Sequence, residues 1–265
     1  MGGFLNWLFP AKEPQTKKKD GGYGCVRDTF DSRDHTFSLT PPGTPPARID
    51  LRESGFLPTV FDQGQLGSCV PNASVAAVMY IESRQGREVV MGSRLELYYY
   101  ARKLEGSIHQ DSGCMIRDAF KVLSSTGVGS EALWPYNISK FSKLPTGAER
   151  KTDQKLLQYM RVRGDSPSLK SALALGIPVV VGISVYASFE SREVATSGIV
   201  PMPQPTEQLL GGHAILLVGY DDSLSHWILR NSWGTTWGEG GYFYLPYAYL
   251  LNAQLADDFW CAQKI

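Results

Sequence analysis

Cysteine is scarce in this chain: 265 residues carry only Cys25, Cys69, Cys114 and Cys261. Their spacing fits no zinc-site pattern, so no metal and no other cofactor is expected, and four are too few for a disulfide scaffold. A bridge among Cys25, Cys114 and Cys261 is permitted but not required. An excess of either charge is missing as well. Lys and Arg together number 26 and Asp and Glu 26, giving zero formal net charge. That balance gives no reason to expect nucleic acid or an anionic membrane as a partner. No apolar run reaches the length of a membrane span. The short apolar stretch 3–9 is broken by Asn6, with no basic residue before it and no small-residue cleavage site after it, a poor secretory signal. Met1-Gly2 is a weak myristoylation start, because Asn6 stands where Ser or Thr is expected. The cytoplasm is the default expectation, with export by another route as the alternative.

What is present is ordinary globular material, 43% hydrophobic and 20% charged, enough for one large domain or two small lobes. Residues 1–48 differ from the rest. They hold the basic run Lys17-Lys18-Lys19 and a Pro-rich stretch at 41–46 that reads as an extended linker. The expected organisation is an N-terminal extension over 1–48 and a globular domain over 49–265. Asp28, Asp31 and Asp34 recur every third residue without calcium-loop spacing, which predicts solvated surface. Small apolar residues predict a helix over 68–84, with Pro71 in its first turn. Ser93 is placed to cap a second helix over 94–103, and helical spacing predicts others over 115–125 and 168–175. Segments 177–185, 214–220, 226–230 and 241–245 read as strands between Gly, Asp and Ser turns. Helices first and strands second predict an α+β fold with a cleft between two lobes.

Four residues carry the chemistry. Cys69 opens the first predicted helix, where unpaired N–H groups and the helix dipole favour a thiolate. By itself such a cysteine reads more readily as a small buried core residue. Gln63 shortly precedes it across a glycine-bearing loop, and its amide with the Cys69 N–H can form two donors for an oxyanion. Of the histidines His35, His109, His213 and His226, His213 opens an apolar strand after Gly211-Gly212 and suits a general base and acid. Asn231 can accept from its second ring nitrogen, under cover of Trp233 and Trp237. The bland alternatives are a surface glutamine, a structural histidine and a turn asparagine.

The motifs around these residues resemble the papain-like cysteine peptidases, in particular a divergent bacterial-type branch. The resemblance rests on the Gln63-to-Cys69 run, on His213-Ala214 leading to Val218-Gly219-Tyr220-Asp221, and on Asn231-Ser232-Trp233-Gly234 continuing to Tyr242. It rests also on Gly127-Val128 with Glu131 and Trp134-Pro135-Tyr136. It implies a two-lobe fold, a helical N-terminal lobe and a β-barrel-like C-terminal lobe, with Cys69 as nucleophile, His213 as base, Asn231 as orienter and Gln63 as oxyanion donor. It implies a cysteine endopeptidase acting on peptides or proteins through a thioester. Substrate contacts would fall to Gly113, Cys114, Met115, Ile116, Gly212, Ala214 and Trp233. Met115, Ile116 and Ala214 would make a pocket for Leu, Val or Phe, and helix core is the alternative for the first two. Departures are plain. The family's usual cysteine three before the nucleophile is Leu66 here, and Asp111 stands nearest the position of its disulfide partner. Two other readings are a transpeptidase or deamidase using the same thioester, and a peptide-binding pseudo-peptidase. Residues 1–48 are read as a segment contacting the cleft as in a zymogen, with Tyr23, Phe30 and the Pro-rich run as docking candidates, or else as a loose tail.

Overall fold

Pro71 and the small residues Ala73, Ser74, Ala76 and Ala77 make a helix that neighbours can approach from every side. In the computed structural model, which describes residues 22–146 and 153–264, it forms as α1 (Cys69–Arg84). Every residue from Cys69 to Glu82 is buried. A helix buried nearly all round goes to the centre of a core. Helices α2 (Arg94–Leu104) and α3 (Ile116–Ser125) pack on it and on each other. The Ser93 hydroxyl accepts from the Glu96 N–H as the expected cap of α2.

The strands begin with β1 (Cys25–Val26), β2 (Arg48–Asp50) and β3 (Cys114–Met115), followed by β4 (Gln158–Arg161). Helix α4 (Ser166–Ala174), capped by Asp165, leads into β5 (Val179–Tyr186). After α5 (Arg192–Ser197) come β6 (Leu209–Asp221), β7 (His226–Arg230) and β8 (Tyr242–Pro246), then α6 (Tyr247–Leu250) and β9 (Ala256–Lys264). Among the described residues the main sheet has seven strands, all pairs antiparallel, in the order β4-β9-β5-β6-β7-β8 with β2 against the far end of β6. Strands β4 and β9 were not expected; their mixed polar sequences carry a weak two-residue period. Ile215 to Val218 of β6 are buried, with β5 on one side and β7 on the other. Helix α1 packs against β6, so the two halves meet where α1 begins. The α+β, two-lobed papain-like reading matches this architecture.

Of the N-terminal extension, the apolar stretch 3–9, the Met1-Gly2 start and Lys17-Lys18-Lys19 lie outside the described residues. Parts of the remainder pack on the body of the protein. Phe37 is buried, Thr36 bridges Arg161, and the Tyr220 hydroxyl donates to the Pro46 carbonyl at 2.5 Å. Arg48 already pairs in the main sheet. Asp28 corrects the expectation of solvated surface. Its carboxylate is fully buried and accepts from Trp260 Nε1 at 2.7 Å and Arg161 Nη2 at 3.0 Å. A tryptophan and an arginine far off in the sequence make this place, so a local period of three could not reveal it.

Candidate active site

Cys69 is the first residue of α1, and its N–H belongs to the first turn, where no carbonyl four residues back can take it. The thiol is buried and accepts from the Ala214 N–H at 3.3 Å, a contact from β6 across the two halves. His213 precedes Ala214 on β6, opposite Ile183 of β5. Its Nε2 lies 2.8 Å from Asn231 Oδ1. The Ser232 N–H donates to the same oxygen at 2.8 Å, which sets the asparagine so that its carbonyl faces the ring. Trp233 stacks on His213 at 5.0 Å between ring centroids, and Trp237 meets Trp233 edge-on at 5.0 Å. The imidazole–amide pair is thus held away from water by aromatic surface.

Gln63 reaches the same place from the loop before α1. Its Oε1 accepts from Ser232 Oγ at 2.6 Å, so its Nε2 must face the other way. That nitrogen donates to the Leu66 carbonyl at 2.8 Å and to the Gly22 carbonyl at 2.9 Å. The backbone is fixed at both ends: Gln63 N–H donates to Ser232 O at 2.9 Å, and Tyr136 OH donates to Gln63 O at 2.9 Å. Tyr136 also bonds Ser68 Oγ. Gly64 takes a φ of +61°, the left-handed turn that lets the loop double back. Thus the structure places Cys69, Gln63, His213 and Asn231 in one neighbourhood, with Ser232 and Tyr136 bonded to them.

The cleft between the halves is filled by the chain's own residues Gly22 to Val26. Strand β1 runs parallel to β3, with Cys25 opposite Cys114 and Val26 opposite Met115, and Cys114 N–H donates to Gly24 O at 2.9 Å. Tyr23 lies edge-on to His213 and to Trp233, with centroids at 6.0 and 6.3 Å, and its hydroxyl donates to Glu190. The approach is close enough to require glycine on both sides. A Cβ on Gly24 would run into the Gly67 carbonyl, and one on Gly212 into the Cys25 carbonyl. Gly113, Cys114 and Gly212 therefore border the segment in the cleft and Trp233 meets it through Tyr23, whereas Ala214 is buried against Cys69. Met115 is half-buried, whereas Ile116 is fully buried in the core at the start of α3. Phe30 is 93% exposed and the stretch 41–46 is largely exposed, so neither docks in the cleft as expected; Tyr23 does.

Burial pushes the thiols of Cys25 and Cys114 well up, so both stay protonated beside the cleft. Among the described residues no disulfide joins Cys25, Cys69, Cys114 or Cys261. Glu190 gave no signal in the sequence. Ser232 lay inside a motif whose value was assigned to its asparagine and tryptophan, although a hydroxyl beside a paired amide is a natural orienter.

Residues 45–258 match the papain family of cysteine proteases. An uncharacterised peptidase C1-like protein of Acanthamoeba polyphaga mimivirus is 39% identical over 255 residues, spanning 89% of this chain and 82% of that protein. Cathepsin L of Sarcophaga peregrina is 33% identical over 210 residues, 75% of this chain, and the match spans 58% of that protein's length. Among crystal structures, xylellain, a cysteine protease from Xylella fastidiosa, superposes with a TM-score of 0.86 at 39% identity, over 92% of this chain and 97% of that one. Motifs, fold and relatives agree, and the chain belongs to the papain family of cysteine peptidases.

Proposed function

We propose that this peptidase cleaves internal peptide bonds through a thioester on Cys69, and that residues 22–26 hold the described state latent. The observation that carries both parts is the hydrogen bond from Gln63 Nε2 to the Gly22 carbonyl. A peptide carbonyl of the chain itself occupies the donor that a substrate oxyanion would need.

With the cleft open, the Cys69 thiolate forms a C–S bond to the substrate carbonyl carbon. The carbonyl oxygen takes the negative charge between Gln63 Nε2 and the Cys69 N–H. His213 gives its proton to the amide nitrogen, the C–N bond breaks, and the amine leaves. Water then attacks the thioester, His213 takes its proton, and the C–S bond breaks to release the acid and restore the thiolate–imidazolium pair. Asn231 holds the ring by Nε2, which leaves Nδ1 as the nitrogen that serves the thiol. The apolar residues Met115 and Ala214 favour an apolar side chain beside the Gly113–Cys114 strand.

Release of the covering segment is testable in the full chain. Gly24→Val cannot keep residue 24 against the Gly67 carbonyl. Hydrolysis of a fluorogenic dipeptide with leucine or phenylalanine should rise by about 10-fold or more over the parent chain, since a competitor for the competent state is removed. Adding Cys69→Ala should return it to background. Equal rates in parent and Gly24→Val chains would sink the latency reading, and undiminished hydrolysis after Cys69→Ala would sink the assigned nucleophile.

A further inference from the structure

The oxyanion loop lacks the disulfide that the family resemblance places between positions 66 and 111, and Asp111 itself takes part in holding it. Gly67 N–H donates to both carboxylate oxygens of Asp111, at 3.0 and 3.1 Å. Tyr98 OH donates to Asp111 Oδ1 at 2.5 Å, and the same hydroxyl accepts from Gly113 N–H at 3.0 Å. A Cβ on Gly67 would stand 3.0 Å from Asp111 Oδ1 and 3.4 Å from the Tyr98 hydroxyl, so glycine is what lets this contact close.

The Gly67 N–H and the Leu66 C=O belong to one planar peptide unit, whose two polar ends point in opposite directions. Asp111 holds the N–H end, and Gln63 Nε2 donates to the C=O end. We infer that Asp111, with Tyr98, is a positioning residue for the oxyanion donor: it fixes the Leu66–Gly67 peptide so that Gln63 presents its amide to the cleft. A carboxylate acceptor on the N–H end also polarises the peptide and makes the C=O end a stronger acceptor. Through Gly113, Tyr98 ties the opposite wall of the cleft to the same carboxylate. Burial and Asp111 both push the Tyr98 phenol up, so it remains a neutral donor. Asp111 sits at the exposed rim, so its loss removes a tether without emptying the core.

The inference rests on Gln63 as the oxyanion donor, and its test separates the two claims. In the full chain carrying Gly24→Val, kcat and KM for a fluorogenic dipeptide are compared for Gln63→Ala, Asp111→Ala, Tyr98→Phe and the double variant Gln63→Ala/Asp111→Ala. Alkylation of Cys69 by iodoacetamide is followed beside them, because displacement at a saturated carbon makes no oxyanion. Asp111→Ala should lower kcat by about 10-fold or more, as supporting partners of a functional group do, with KM and alkylation little changed. Tyr98→Phe should fall in the same direction by less. The double variant should be no slower than Gln63→Ala, because both act through one donor. If Gln63→Ala costs activity while Asp111→Ala and Tyr98→Phe do not, the positioning role is wrong and the donor stands. If Gln63→Ala costs nothing, the donor assignment is wrong. Should Asp111→Ala fail to fold, Tyr98→Phe and Asp111→Asn decide by the same split between kcat and alkylation.

Discussion

The two halves of the site are held by different physics. On the helical side, Cys69 and Gln63 rest on polar groups joined by hydrogen bonds and ion pairs: Arg94, Asn72 and Tyr98 are buried, Glu131 and Tyr136 half-buried, and Asp111 stands at the rim. On the sheet side, His213 and Asn231 are covered by rings, with Trp233, Trp237, Phe189 and Phe243 in mutual contact. Hydrogen-bonded networks specify direction sharply and fail abruptly when a member is lost, because the remaining members stay buried without partners. Ring contacts are individually weak and degrade in steps. The Gln63 loop needs direction, since its amide must face one way. The imidazole needs exclusion of water, which a ring supplies from any of several placements.

The polar half should break hardest at Arg94, which is 6% exposed. It pairs with Glu131 through Nε and Nη2 at 2.8 and 2.6 Å and donates from Nη1 to Asn72 Oδ1 at 2.8 Å. Its guanidinium lies 4.2 Å from the Tyr136 ring centroid and 4.5 Å from that of Phe61. Arg94→Met strands the Glu131 carboxylate and should cost about 3–5 kcal/mol in urea denaturation, the usual penalty for removing one partner of a buried pair. A loss below about 1 kcal/mol would mean the network is redundant and the contrast between the halves is overstated.

The aromatic half should yield less to a comparable change. Phe189 stacks on Trp237 at 5.5 Å and meets Trp233 and Phe243 edge-on at 5.5 and 5.2 Å. Phe189→Leu keeps the site apolar but removes ring contacts worth about 0.5–1.5 kcal/mol beyond area burial, so a total near 1–2 kcal/mol is expected in the same assay. Hydrolysis in the Gly24→Val chain should change by about 3-fold or less, since His213 keeps Trp233 and Asn231. A loss as large as that of Arg94→Met would show the ring cluster to be as brittle as the network.

What could be read from the sequence follows the same division. Cys69, Gln63, His213 and Asn231 were legible because each sits in a run whose residues act locally: a glycine-bearing loop, a helix start, a strand start, a turn. The helices α1 to α3 and the strands β5 to β8 were legible from period and turn residues, with ends shifted by a few positions. Asp28, Tyr98, Asp111 and Glu190 were not, because their partners lie far away in the chain. Asp111 was noticed only as the place of a missing cysteine, and its hydrogen bonds with Gly67 and Tyr98 exist only once α2 and the loop before α1 are packed together. Parallel pairing of β1 with β3 was equally hidden, since a two-residue strand has no period.

The seam between the halves offers the mildest test. Asp28 follows the covering segment and touches both sides: its carboxylate accepts from Trp260 and Arg161 of the sheet and, at 3.3 Å, from the Arg117 N–H of α3. Asp258 lies against it, accepting from the Asp28 N–H at 2.6 Å and from Arg161 Nη1 at 3.1 Å, with Asp34 on Arg117 and Arg161 nearby. Burial first, and the Asp258 carboxylate second, raise the Asp28 carboxyl from 3.8 to about 6. The folded protein then holds a proton here more tightly than the unfolded chain does. The stabilisation this gives is complete below the unfolded value and is lost as pH rises through about 6. Acid therefore tightens this seam through Asp28, and the approach to neutral pH loosens it. Asp28→Asn, which has no proton to lose, should lack that dependence. The Tm of the parent should fall relative to that of the variant between about pH 4 and pH 7. A parent that instead gains on Asp28→Asn over that range would mean that attraction to Arg161 and Arg117 outweighs burial, and that the seam belongs with the polar half.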